Sequence, residues 1–346
     1  MAAALAGGLA LALTRSESGP QSNRAAAARA GGAIEEVPRT VAAYAPLVRL
    51  HPRERFFPTS PDDFLEHSRL VFFRTAGAPQ LVADAPDATL LGDGSYRSAG
   101  FTTGELTRPY HRRPDRARLG ANEGFVLDLA DSSRCQGQEG VGCAFAQAPV
   151  YYQYTPRRYI TYWLFYAYSA PMGLNGAPSF RFGHEGDWER IVVLLDERER
   201  PLEVAYYQHE GPPQIVPWNS ASAPAAGPRR PLVFAALGTH ASYPGPGSKD
   251  VTLGDLRLGR ESTGPNATFQ ESRAAGAEWA TWLDLRDVRT AWFGYGGAWG
   301  NRGRFPFTTG PLGPSKWKDP APCTRRILPP CTAAAASNAQ IPFAPA

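Results

Sequence analysis

The sequence predicts an all-β protein, a two-layer antiparallel β-sandwich with short peripheral helices and long loops. Glycine (35) and proline (33) make up close to a fifth of the 346 residues, and proline at that density interrupts long helices because it lacks an N–H and fixes φ. The middle of the chain carries runs of aromatic and β-branched residues separated by turn-rich pieces, the pattern of strands. With 43% hydrophobic and 20% charged residues, the chain can bury a large core and does not have the composition of a disordered one.

Residues 1–40 read as an export leader and linker. Ala2 to Leu13 is a short apolar run, too short at about 1.5 Å per residue to cross a bilayer of about 30 Å but the length of a signal-peptide core. Ala28-Arg29-Ala30 offers a cleavage site, so the expected location is secreted or extracytoplasmic, with no transmembrane segment. Residues 41–320 form one domain, and residues 321–346 a C-terminal tail stapled by a disulfide. Cys135 and Cys143 are eight apart, as are Cys323 and Cys331; neither pair has C-x-x-C spacing, and two local disulfides suit an exported chain.

Within the domain, Ser60-Pro61-Asp62-Asp63 is an N-cap and first turn for a short helix over Ser60 to His67. Strands are expected over Ile160 to Ala170, Asp187 to Asp196, Leu202 to Glu210 and Arg230 to His240. Ser220 to Arg230 and Tyr243 to Lys249 read as loops, and there is no internal repeat. The formal charge of +4 rests almost wholly on arginine, a bias of composition that gives no reason to expect a nucleic-acid partner. The basic stretch His111 to Arg118 reads as a solvated loop. No P-loop, H-E-x-x-H or G-x-S-x-G pattern occurs, and Gly294 to Gly300 misses G-x-G-x-x-G at its last position.

The polar residues that stand out lie where a core strand would prefer apolar ones. Gly183-His184-Glu185-Gly186-Asp187-Trp188-Glu189 leads into the apolar run Ile191 to Leu195, and with period two Asp187 and Glu189 share a face. If residues 197–201 form the hairpin loop, Asp196 opposes Leu202, Glu189 opposes His209 and Asp187 opposes Gly211. That register sets an imidazole beside two carboxylates, which repel unless a cation or proton joins them. Oxygen ligands suit Ca²⁺ or Mg²⁺, and added imidazole favours Mn²⁺ or Zn²⁺. The metal candidates are therefore His184, Asp187, Glu189 and His209; the competing reading is a hydrogen-bonded network that holds the loop. Gly238-Thr239-His240-Ala241-Ser242-Tyr243 ends another apolar run, and a histidine at a strand end is well placed for a site.

These motifs resemble the vacuolar protein sorting-associated protein 62 family, which has fungal, plant and bacterial members. The resemblance rests on His184 to Glu189, Tyr207-Gln208-His209-Glu210-Gly211 and Gly238 to Tyr243. It begins at Ala45 to Pro52, runs through Glu54 to Pro58, and closes with Gly297-Ala298-Trp299-Gly300 and Gly310 to Pro314. More distantly, Gly183 to Glu189 is similar to the G-H-R-H-D-W-E heptad of necrosis- and ethylene-inducing-like proteins, secreted β-sandwich cytolysins that bind sphingolipid headgroups through a divalent ion. That likeness would put ion ligands on His184, Asp187 and Glu189. Gly186 replaces the heptad's second His, and Gly176, with Asn175 beside it, replaces an upstream Asp ligand, so the lipid activity does not carry over.

Three functions follow as alternatives. The first is a secreted protein that binds a divalent cation (Ca²⁺, Mg²⁺ or Mn²⁺) and through it a sugar or lipid headgroup, with Tyr207, His240 and Tyr243 lining the ligand and peripheral membrane contact allowed. The second is a metal-assisted hydrolase of ester or phosphodiester bonds, with His209 or His240 as acid or base. The third is a structural protein whose polar motif only ties strands together. Tyr206, Tyr207, Trp218 and Tyr243 suit stacking on a ligand or packing in the core.

Overall fold

The computed structural model describes residues 36–73, 78–93, 124–130, 148–174, 177–208, 213–223, 229–253, 267–273, 278–279, 284–301 and 309–317. The chain divides into Met1–Glu36 and Val37–Ala346, and every described strand lies in the second unit. The expected disulfides of Cys135 with Cys143 and Cys323 with Cys331 fall outside the described residues, as do residues 1–35 of the expected leader, the tail and His209.

The fold is all-β. In chain order the strands are β1 (Leu47–Arg49), β2 (Ser68–Phe73), β3 (Gln80–Asp84), β4 (Gly124–Leu129), β5 (Val150–Thr155), β6 (Tyr159–Leu174), β7 (Ala177–Leu195) and β8 (Pro201–Tyr206). They continue with β9 (Gln214–Pro217), β10 (Ser222–Ala223), β11 (Arg230–Ala235), β12 (Ser242–Tyr243), β13 (Gly247–Leu253), β14 (Ala267–Arg273), β15 (Glu278–Trp279) and β16 (Leu285–Asp287). The helices α1 (Arg39–Ala43), α2 (Pro61–Glu66), α3 (Ala88–Asp93) and α4 (Trp218–Ala221) are all short. Helix α2 starts as expected: the Ser60 hydroxyl accepts the Asp63 N–H at 3.0 Å, with Pro61 in the first turn.

The central sheet has the order β16-β5-β6-β7-β8-β9. Its pairings are antiparallel except that β16 runs parallel to β5. A three-stranded sheet β3-β2-β4 and a sheet of order β10-β11-β1-β15, with β12 on β11, accompany it, and β13 pairs with β14. Alternation along β6 and β7 supplies both faces of the central sheet. Trp163, Phe165 and Trp188 pack with Phe72, Phe125 and Leu127 of β2 and β4. Tyr162, Leu164, Ile191 and Val193 pack with Val48 of β1 and Val233 of β11. The sandwich thus has an apolar core on each side of its middle sheet, which explains why β6 reads as a nearly continuous apolar run rather than an alternating one.

The expected strand limits change: β6 runs on to Leu174 and β7 begins at Ala177. β11 stops at Ala235, because Ala236 to Ala241 turns back on itself: His240 N donates to Ala236 O and Ala236 N to Ala241 O. β8 stops at Tyr206. The β7–β8 hairpin is also one residue out of the expected register, with Ile191 opposite Tyr206 and Val193 opposite Val204. The turn is residues 196–200: Asp196 Oδ1 accepts the N–H groups of Arg198 and Arg200, each at 2.8 Å, and ends the strand early. A slip of one residue exchanges the two faces of a strand. The register expected to set His209 opposite Glu189 is therefore not the one β7 and β8 adopt, and His209 itself lies outside the described residues.

Candidate functional site

Strand β7 carries the polar motif, and Gly186 divides it. Gly186 has φ of 60°, and a Cβ built there would lie 2.0 Å from the carbonyl oxygen of Trp299, so only glycine fits without displacement. A regular strand would put Glu185 and Asp187 on one face. Their partners instead lie on different sides: Glu185 Oε2 accepts the N–H groups of Leu129 at 2.8 Å and Asn301 at 3.1 Å, whereas Asp187 meets His240. Beyond Gly186 the alternation is regular, so Asp187 and Glu189 do share a face with Ile191 and Val193, as the period-two pattern predicts.

The centre of the site is His240, which is 0% exposed. Its Nδ1 lies 2.9 Å from Asp187 Oδ2 and its Nε2 lies 3.7 Å from Glu54 Oε1, while its ring stacks on Tyr166 with centroids 3.8 Å apart and planes 3° from parallel. Glu54 is itself held by backbone: Oε1 accepts from Arg55 N at 2.8 Å and Phe56 N at 2.9 Å, and Oε2 from Gly238 N at 2.7 Å. His240 has a left-handed φ of 57°, a conformation the tight turn after Gly238 imposes. Tyr166 faces Asp187 across the β6–β7 pair.

The electrostatics follow from this geometry. Burial alone would discharge His240, but the Glu54 charge, 3.7 Å from Nε2, and the hydrogen bond to Asp187 outweigh it and raise its pKa to about 9. Burial likewise opposes ionisation of Glu54, yet the imidazolium and the backbone donors hold its carboxyl down at about 2. Glu185 is the opposite case. Burial dominates its two backbone hydrogen bonds, Asp128 adds repulsion, and its pKa rises to about 7. The Tyr166 phenol is pushed well above its usual range by burial and then by Glu189, Asp187 and Glu54.

Of the sequence candidates, the structure brings Asp187 and His240 together. His184 turns to its own backbone: Nδ1 lies 2.7 Å from the Gly186 carbonyl, which can only accept, so that nitrogen carries a proton. Among the described residues no group of three or more His, Cys, Asp or Glu side chains is arranged to hold a metal ion. His240 in particular faces one carboxylate with each ring nitrogen, Asp187 within hydrogen-bond distance of Nδ1 and Glu54 at 3.7 Å from Nε2. The expected ligand-facing rings are also engaged internally. Tyr207 has the Arg190 guanidinium 4.0 Å from its centroid, Tyr243 has that of Arg273 at 3.9 Å, and both rings are buried.

Sequence reasoning missed Glu54, Tyr166 and Glu185. Glu54 sits among Arg53 and Arg55 and reads as a surface charge; only its burial at 7% exposure distinguishes it. Tyr166 is one aromatic residue in an aromatic strand. Glu185 stands inside the motif, but its separation from Asp187 depends on the left-handed turn at Gly186. A glycine inside a strand pattern was the available signal for such a break.

Among the described residues no helix is long and apolar enough to cross a membrane. No family model, no curated protein and no solved structure matches the chain.

Proposed function

We propose that the charged motif of β7 serves as a buried electrostatic clasp, in an extracytoplasmic β-sandwich protein that works by binding rather than by turnover. The observation that supports this reading is the placement of His240, fully buried between Asp187 and Glu54. An imidazole with a pKa of about 9 is already protonated at neutral pH, and its buried ring reaches no substrate, so it makes a poor general base. The clasp joins the segment after β1, strand β7 and the turn after β11. Each depends on the others, because removing one charge leaves the remaining ones buried and uncompensated. The likeness of the motifs to the vacuolar protein sorting-associated protein 62 family is consistent with a role for them in the fold.

A second reading keeps a divalent cation at Asp187 and Glu189, and through it a sugar or lipid headgroup. It is favoured by one observation: Asp187 and Glu189 are both buried on one face of β7. Thermal unfolding separates the two readings. A bound ion at one hundred times its dissociation constant stabilises by about 2.7 kcal/mol, a rise of roughly 4 °C for a chain of this size. The clasp reading expects no change with Ca²⁺, Mg²⁺, Mn²⁺ or chelator. A rise with one ion that Glu189→Gln abolishes would overturn it in favour of the cation site.

A further inference from the structure

The face of the central sheet that packs on β2 and β4 is only partly covered by those strands. Residues directly opposite one another in antiparallel strands share a face, so this face is built of rows across the sheet. Trp163, Arg190 and Tyr207 make one row: Trp163 opposes Arg190, and Tyr207 N donates to Arg190 O. Gln153, Thr161, Val192, Ala205 and Ile215 make the next, and Thr155, Tyr159, Leu194, Glu203 and Pro217 the one after. No register shift falls between these rows.

The aromatic core shared with β2 and β4 reaches the Trp163 row and takes no residue from the two rows below it. There Thr161, Val192 and Ala205 are nevertheless 0% exposed and Leu194 is 3% exposed. Side chains stand roughly perpendicular to a sheet, so burial this complete requires a second layer above them. The cluster formed by Val192, Leu194 and Ala205 draws its other members, Tyr159 and Tyr207, from the same face, and no described element outside the sheet joins it. These exposures belong to a single chain, so the second layer is a part of the chain itself.

Trp317 indicates which part. It is the last described residue, and its ring lies at the head of this surface, 5.6 Å from the Trp163 ring and 4.8 Å from the Arg190 guanidinium. From the Arg190 row to the Leu194 row is four residues along β7, roughly 13 Å, which a few extended residues after Trp317 span. Pro320, Pro322, Pro329 and Pro330 favour an extended chain that lies on a sheet without joining its ladder. Ile327 and Leu328 supply apolar side chains, and Lys318, Arg325 and Arg326 outnumber the one acid, Asp319, which suits Glu203 in the last row.

We propose that the segment after Trp317 is a strap that runs down this face of its own chain, covers Val192, Leu194 and Ala205, and supplies the rest of the second layer. The strap is then a part of the sandwich rather than a tail appended to it, and its release uncovers an apolar face bounded by Arg190 and Tyr207.

Photo-crosslinking of the full chain tests this. The probe, p-benzoylphenylalanine, replaces Tyr159 inside the covered rows, Ile215 on their rim, or Leu81 on β3 as a control. Ile215 and Leu81 are exposed at 38% and 53%, so those changes leave the core intact, and Ile215 decides the matter if the Tyr159 variant does not fold. Peptide mapping after irradiation should join the Tyr159 and Ile215 probes to residues 318–346 within one chain, and the Leu81 probe to none of them. Capture of another segment, capture only between copies, or no capture at all would overturn the proposal. Equal capture of residues 318–346 by the Leu81 probe would do the same.

Discussion

Replacing His240 with asparagine removes the one cation from between Asp187 and Glu54 while keeping a residue that tolerates the left-handed φ of 57°. The size of the effect can be worked in two ways. Breaking a buried ion pair from one side costs about 3–5 kcal/mol. A rise in the histidine pKa from its ordinary 6.5 to about 9 corresponds to about 3 kcal/mol. The depression of Glu54 to about 2 reports the same interaction from the other partner and is not added. The variant should lose about 3 kcal/mol at pH 6, a fall in melting temperature of roughly 4 °C for a chain of this size. The pH dependence carries the sign. A histidine whose pKa is raised on folding contributes fully below its unfolded value of 6.5, and that contribution disappears as pH rises through 9. Urea unfolding of both proteins from pH 5 to pH 10 should therefore show a gap that is widest on the acid side of neutrality and narrows in alkali. A variant within about 0.5 kcal/mol of the wild type at pH 6, or a gap that widens as pH rises, would refute the reasoning.

Two further changes probe the other half of the motif. Glu185→Gln keeps an oxygen acceptor for Leu129 N and Asn301 N and removes a carboxyl whose pKa is raised to about 7. A carboxyl raised on folding costs stability increasingly as pH climbs from its unfolded value of 4.5 through 7, so the variant should be more stable by on the order of 3 kcal/mol at pH 8 and unchanged at pH 4. Equal destabilisation at both pH values, in the same urea assay, would count against it. Gly186→Ala places a methyl 2.0 Å from the Trp299 carbonyl at φ of 60°, and should cost about 3 kcal/mol or more; an unchanged unfolding midpoint would show that the turn relaxes freely.

Some of this protein was legible in the chain itself. Composition excluded long helices. The local chemistry of Ser60-Pro61-Asp62-Asp63 marked helix α2, because an N-cap is decided within four residues. The aromatic and β-branched runs marked β6, β7, β8 and β11, and period two put Asp187 and Glu189 on one face, because side-chain alternation is a property of the single strand. The tertiary structure alone decided the rest. The hairpin register depended on Asp196 capping its own turn, which set Tyr206 rather than Tyr207 opposite Ile191. The left-handed turn at Gly186 sent Glu185 toward β4 and left Asp187 to His240, since the packed Trp299 carbonyl excludes any side chain there. Glu54 lies 186 residues from His240 in sequence and meets it only because β1 pairs with β11. A charge pair at that separation leaves no local periodicity to read: its partners are fixed by sheet topology, and its strength by the burial that topology creates.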